Sequence, residues 1–398
     1  IMKIAIICSQ GLPVPAVKGG AIETLVEIIC KENEIYGELE IDVYSIYDDE
    51  AIETAKSYKN TEFIYSCKNK KYMMIKNKFV SLVRKIFNIN INYAYAEEIT
   101  KKIDDSYDKV IIEGDASLIL PISKKVNKEK LYFHIHHNPL STNHAQFRKE
   151  ISSVKKVITV SDFISKGINK CMSQEKESVQ AVVLRNCTDI KKFNVNNYKQ
   201  ERTQLRDRYN IKDNELVIMF TGRPVPQKGI KELLTAFKEL CNKYNNVKLV
   251  IVGNSGFGKE IKTDFDNQLE EIAESIKDKV IFTGFIHNSK MPQIHAIADI
   301  AVIPSIYDDP APLVVMECMA SGLAVITTDS GGIPEYVGEN NCISIIRDEN
   351  IIINLKEALE KLVVNERYRK TLGENAHNYA QQFNLKRFYY DFIDVISK

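Results

Sequence analysis

A chain of 398 residues is long enough for two domains, each with its own core. With 44% hydrophobic and 27% charged residues it has the composition of a globular protein, and a net charge of +1 gives no overall pull toward nucleic acid. It holds no run of about 18 uncharged apolar residues, which excludes a membrane-spanning helix as the organising element.

The chain opens on an apolar strand, Lys3 to Cys8. Ile1 to Ile7 enter it too directly to act as a signal peptide, and Ile1 ahead of Met2 reads as an added residue. A loop, SQGLPVPAVKGG, leads to a helix from Ala21, and Gly19 and Gly20 at its entrance allow backbone to approach a ligand. The loop lacks GxGxxG, which speaks against a dinucleotide dehydrogenase. Ile41 to Tyr47 reads as another strand. From Phe63 to Ala96 there is no acid. There Lys68, Lys70, Lys71, Lys76, Lys78, Arg84 and Lys85 interleave with residues such as Met74, Phe79, Leu82 and Ile86. Either this is a solvated helix packing its stripe on its own domain, or it meets an anionic membrane or an anionic acceptor. No nucleic-acid motif accompanies the charges.

Val110 to Glu113 and Lys130 to His136 are strand-like. His134 and His136 alternate onto one strand face. No acidic third ligand stands near them in sequence, so no metal is expected. Val157 to Ser161 forms a further strand and turn. The polar stretch from Asn194 to Asp213 reads as a linker into a second domain. The eight cysteines are scattered without a CxxC pair, which favours reduced thiols and the cytoplasm over disulfides or zinc.

The second half opens on Leu216 to Phe220, then Thr221-Gly222-Arg223-Pro224-Val-Pro-Gln-Lys228-Gly229, then a helix through Leu240. Arg223 and Lys228 supply a guanidinium fork and a point charge to one small region, a pairing suited to a diphosphate. Leu249 to Gly253 is a strand, Asn254 to Gly258 a flexible loop, and Val280 to Phe285 a strand. From Ala298 to Val337 the order is apolar run, acidic loop, helix from Leu313 capped by Gly322, apolar run, and glycine loop. This is a βαβ unit, whose loops gather at the carboxyl ends of a parallel sheet, where ligands bind. Asp309 in the loop and Glu317 in the helix could grip a polyhydroxylated ligand. The loop end at Ala311 and Pro312 leads into the free amides of Leu313 and Val314 at the helix start, which favour an anion. Ile351 to Val364, Glu366 to Phe383 and Leu385 to Ser397 read as helices.

The Asp309–Glu317 spacing resembles the donor-binding signature of the retaining family 4 glycosyltransferases, glutamate, seven residues, glutamate. Asp309 stands at the first position and Pro312 replaces the usual glycine. "ITVS" at 158–161, Asn186 to Phe193 with Cys187 in place of glycine, and Gly222-Arg223 to Lys228-Gly229 are also similar to family motifs. The resemblance spans nearly the whole chain. It implies an α/β GT-B fold, two Rossmann-like domains with parallel sheets facing across a cleft. An acceptor-binding domain would span 1–193, a nucleotide-sugar domain 194–383, and a last helix, 384–398, would cross back. It further implies Arg223 and Lys228 on the diphosphate, Asp309 on the sugar and Glu317 on the ribose. Phe285 and Ile286 would lie at the base, and the Gly19–Gly20 loop over the donor. His137, with His136 as the alternative, would hydrogen-bond the transferred sugar.

The implied activity is metal-independent transfer of a hexose-type sugar from a nucleoside-diphosphate sugar, UDP-linked first of all, with no cofactor. Acceptors would be a surface polysaccharide, a lipid-linked sugar or a protein, in the cytoplasm or at the inner membrane face. A nucleotide-sugar epimerase or phosphorylase of the same fold, or a non-catalytic sugar-binding or coat protein, are the competing readings.

Overall fold

The computed structural model describes residues 1–87, 92–138, 144–173, 179–254 and 263–398. Most of the Asn254–Gly258 loop lies outside them. The chain divides into two units, Ile1–Asn186 with Leu385–Lys398, and Cys187–Asn384.

The first unit is built on seven parallel strands: β1 (Met2–Ile7), β2 (Leu39–Ile46), β3 (Thr61–Ser66), β4 (Lys109–Glu113), β5 (Leu131–Ile135), β6 (Lys156–Thr159) and β7 (Gln180–Val183). Their order is β3-β2-β1-β4-β5-β6-β7. Central strands covered on both faces must be apolar throughout, and Ile4 to Ile7, Val110 to Ile112 and Leu131 to Phe133 are all buried. The order reverses between β1 and β4, which pair with Ile6 opposite Ile111.

The last helix, Leu385–Ser397, closes this unit. It buries Phe388, Tyr389, Phe392 and Ile396. Tyr389 Oη donates to Asn33 Oδ1 at 2.6 Å, and Lys156 Nζ donates to the Val395 carbonyl at 2.9 Å. Arg387 spends its fork on the carbonyls of Arg185 and Asn186, at 2.9 and 2.6 Å.

The second unit has six parallel strands: β8 (Leu216–Thr221), β9 (Val247–Val252), β10 (Val280–Gly284), β11 (Ile300–Ile303), β12 (Ala324–Thr328) and β13 (Ile343–Ile345). They run β10-β9-β8-β11-β12-β13, with Ile218 opposite Ile300 and Ile300 opposite Ala324. Alternation along β8 splits the core: Ile218 and Phe220 pack with Leu233, Phe237, Leu355 and Leu359, while Val217 and Met219 pack with Val315 and Met319. The helix Ile230–Cys241 buries Ile230, Leu233, Leu234, Phe237, Leu240 and Cys241, a 3.6-residue stripe against the first of these cores.

The polar stretch from Asn194 to Asp213 is no linker. It holds the helix Lys199–Arg208, whose Arg206 is buried. The Arg206 guanidinium donates to the carbonyls of Ile297, Lys212 and Glu215 at 2.7–3.0 Å. A buried cation is tolerated there because its donors satisfy backbone acceptors. Ile190 and Phe193 also pack in this unit's core, so the second unit begins at Cys187.

Candidate functional site

In the second unit the strand order reverses between β8 and β11, and the loops leaving these neighbours share one edge, where open α/β sheets bind ligands. The β8 loop turns through Pro226–Lys228 and enters the helix Ile230–Cys241. The β11 loop runs from Pro304 to the helix Leu313–Ala320. One backbone bond, Ile306 N–H to the Gln227 carbonyl at 3.0 Å, ties the two loops together.

Lys228 and Asp309 meet there. Lys228 Nζ donates to Asp309 Oδ2 at 2.6 Å and to Tyr307 Oη at 3.0 Å, and Tyr307 Oη donates to the same Oδ2 at 2.9 Å. Burial alone would lower the Lys228 pKa, but the charge of Asp309 and the Tyr307 oxygen override it and leave it raised. Lys228 is therefore a fixed ammonium, its side chain 24% exposed, beside a carboxylate only 5% exposed. Arg223 stands exposed at the rim of the same loop. Asp309 is fixed from behind, because its carbonyl accepts from Gly332 N–H at 2.8 Å.

Gly331 makes that approach possible. It sits at φ +59°, and a Cβ there would lie 2.3 Å from the Asp309 oxygen. Gly331→Ala is expected to destabilise the protein by about 2–4 kcal/mol and to dislodge Asp309, read as a lowered Tm in thermal unfolding.

The helix Leu313–Ala320 carries Glu317 on a partly accessible face, among buried Val315, Met316, Cys318 and Met319. Burial raises the Glu317 carboxyl to about 7, with Lys192 opposing the shift. The helix end is locked. Ser321 Oγ donates to the Glu317 carbonyl at 2.8 Å, buried His295 Nδ1 lies 2.9 Å from that hydroxyl, and His377 Nδ1 donates to the Ala320 carbonyl at 2.7 Å. Pro312 is buried at the entrance, Ala311 is half-buried, and the first amides, at Leu313 and Val314, lack an intrahelical acceptor.

Gly222 N–H donates to the Val252 carbonyl and Gly253 N–H to the Gly284 carbonyl, both at 3.0 Å, which binds the edge of β8, β9 and β10. Phe285 is exposed, while Ile286 packs partly on the core.

In the first unit the corresponding edge, after β1 and β4, holds a second group. Gly19 and Gly20 have positive φ, 78° and 100°, and precede the helix Ala21–Tyr36. Glu23, in the first turn, is buried, and burial raises its carboxyl to about 7. His134 and His136 do have an acidic neighbour, contrary to the sequence reading. Parallel pairing sets Glu113, at the end of β4, opposite His134. Glu113 lies 3.2 Å from His134 Nδ1 and accepts from His136 Nε2 at 2.8 Å.

Burial would raise the Glu113 carboxyl, but the two imidazoles hold it well below its ordinary value. Burial and His134 push His136 down to about 4, leaving it a neutral donor. The three ligand-type atoms lie within 4.8 Å of one another. Yet both imidazoles already hydrogen-bond to Glu113, and among the described residues buried His134 Nε2 has no acceptor behind it of the kind that orients a metal-bound histidine. His137, one residue on, is half-buried, and burial lowers its pKa against the charge of Asp115.

Tyr307, Glu23 and Glu113 were missed from the sequence. Tyr307 alone carried a signal there, an aromatic hydroxyl two residues before the loop acid.

The sequence model described as "Glycosyl transferases group 1" matches residues 201–379. Spore coat protein SA of Bacillus subtilis is 24% identical over 409 residues, covering all of both chains. The lipopolysaccharide 1,2-N-acetylglucosaminetransferase of Salmonella typhimurium is 29% identical over 251 residues, 60% of this chain and 61% of that one. Among solved structures, Anabaena HepE in complex with UDP and glucose superposes over the whole of both chains with a TM-score of 0.75 at 18% identity. With two parallel-sheet α/β units, and a match to the group 1 glycosyltransferase model that lies within the second, the chain has the GT-B fold and is similar over residues 201–379 to the group 1 glycosyltransferases.

Proposed function

We propose that the protein is a retaining, metal-independent transferase of the family 4 type. It would move a hexose-type sugar from a UDP-linked donor to a surface polysaccharide, lipid-linked or protein acceptor. The observation that carries this reading is the Lys228–Tyr307–Asp309 cluster at the switch point between β8 and β11. When the bond to the anomeric carbon breaks, charge collects on the β-phosphate. Cations already held in place stabilise that state more than the bound donor.

Lys228 takes this role with Arg223, aided by the amides of Leu313 and Val314. Asp309 orients Lys228 and meets the sugar hydroxyls, Glu317 accepts from the ribose, and Phe285 and Ile286 suit a flat base. His137, as a neutral imidazole, hydrogen-bonds a sugar hydroxyl. Two side-chain cations neutralise the leaving group, so neither metal nor cofactor is needed. For retention we favour a front-face route in which the leaving phosphate takes the acceptor's proton. Asp309 is committed to Lys228 and differs in this from a glycosidase nucleophile.

The UDP and glucose bound by the Anabaena protein support a UDP-linked donor. All eight cysteines are free, which supports a reducing, cytoplasmic setting. A thermal-shift screen of nucleotide sugars tests the reading. A UDP sugar at one hundred times its Kd should add about 2.7 kcal/mol of stability, and release of UDP should then require an acceptor. A nucleotide sugar isomerised without acceptor would make the protein an epimerase. The full-length similarity to a spore coat protein favours one rival, a non-catalytic binder, which would show the thermal shift but no release of UDP.

A further inference from the structure

The helix Lys70–Phe87 has two unlike sides. One is committed to its own unit. Val80 is buried, Lys76 pairs with Glu97, Asn77 Oδ1 accepts from Ala94 N–H at 3.0 Å, and the Arg84 guanidinium lies 4.4 Å from the Tyr93 ring centre. The other side presents Tyr72, Ile75, Phe79, Leu82 and Ile86, each between 51% and 65% exposed. They are spaced three and four apart, so they form one continuous stripe. Met74 is exposed beside them. Exposed apolar side chains are ordinary when scattered; a row of five on one helix marks an interaction surface.

The flank of the stripe decides its partner. Lys71, Lys78 and Lys85 recur every seven residues along it, all exposed, and the helix carries no acid. A second copy of this helix would set those lysines against themselves with nothing to pair them. A hydrophilic polyanion would satisfy the lysines and leave the stripe in water. A bilayer with anionic headgroups satisfies both.

We propose that this helix docks the protein on an anionic lipid bilayer, lying in the interface with Tyr72, Ile75, Phe79, Leu82 and Ile86 between the headgroups. Each lysine near the surface strengthens binding about fivefold, an effect screened within a Debye length of about 10 Å. The inference is independent of the transferase reading, since an inactive protein would dock equally.

Co-sedimentation with phosphatidylcholine vesicles, with and without phosphatidylglycerol, tests it. The full chain should bind the anionic vesicles and release them as salt rises. Lys71→Glu/Lys78→Glu/Lys85→Glu should weaken binding by about a hundredfold or more. Phe79→Ser/Leu82→Ser should weaken it at least about tenfold, with an unchanged Tm because both residues are exposed. Equal binding to neutral vesicles, no binding to either, or full binding by the Phe79/Leu82 variant would each overturn the proposal. So would a dimer in light scattering that the same two substitutions dissolve.

Discussion

Lys228→Ala is expected to lower turnover about 10²–10³-fold while changing donor affinity less than about tenfold. The ammonium is already in place before any donor arrives, held by Asp309 and Tyr307 at 2.6 and 3.0 Å. Its interaction is therefore stronger with the departing diphosphate than with the intact donor, and its loss falls on kcat. Steady-state release of UDP, compared with donor binding by calorimetry, separates the two. Equal losses in both would reduce Lys228 to a simple binding residue.

The same substitution leaves the Asp309 carboxylate, in a residue 4% exposed, with Tyr307 as its one remaining side-chain partner among the described residues. Allowing for the partial exposure of Lys228, a stability loss of about 2 kcal/mol is expected. Lys228→Ala/Asp309→Asn should recover most of that stability without recovering turnover, which distinguishes a catalytic loss from a folding defect.

Glu317→Gln is expected to weaken donor binding about ten- to a hundredfold above pH 7 and to abolish the pH dependence of that binding. The carboxyl is raised by burial from an ordinary 4.5 to about 7. Ribose hydroxyls donate best to the ionised form, so affinity should climb as pH rises through about 7 and then level. Stability runs the other way. A group whose folded pKa exceeds its unfolded one contributes stability that is complete below about 4.5 and lost as pH rises through about 7. At pH 8 Glu317→Gln should therefore be more stable than the parent by about 1–2 kcal/mol, read as a higher Tm. A parent protein whose donor affinity is flat from pH 6 to pH 8 would remove Glu317 from the ribose.

The βαβ unit around Asp309 was legible in the sequence because every signal in it is local. A four-residue apolar run becomes β11, Gly322 stops the helix Leu313–Ala320, and the next run becomes β12. The meeting of Lys228 with Asp309 was anticipated through family resemblance; the residues themselves suggested only two loops on one edge. What stayed hidden was set by neighbours distant in sequence. Glu113 lies beside His134 because of a parallel crossover. Arg206 looked like part of a linker because its polarity is answered by carbonyls from other segments. Tyr307 was visible, but its role depended on where Lys228 would point.

A crystal structure of the protein with UDP tests the central claim most directly. We expect the diphosphate within hydrogen-bonding distance of Lys228 Nζ and the ribose hydroxyls at Glu317, on the edge shared by β8 and β11. A diphosphate bound elsewhere, with the Lys228–Asp309 pair untouched, would contradict it.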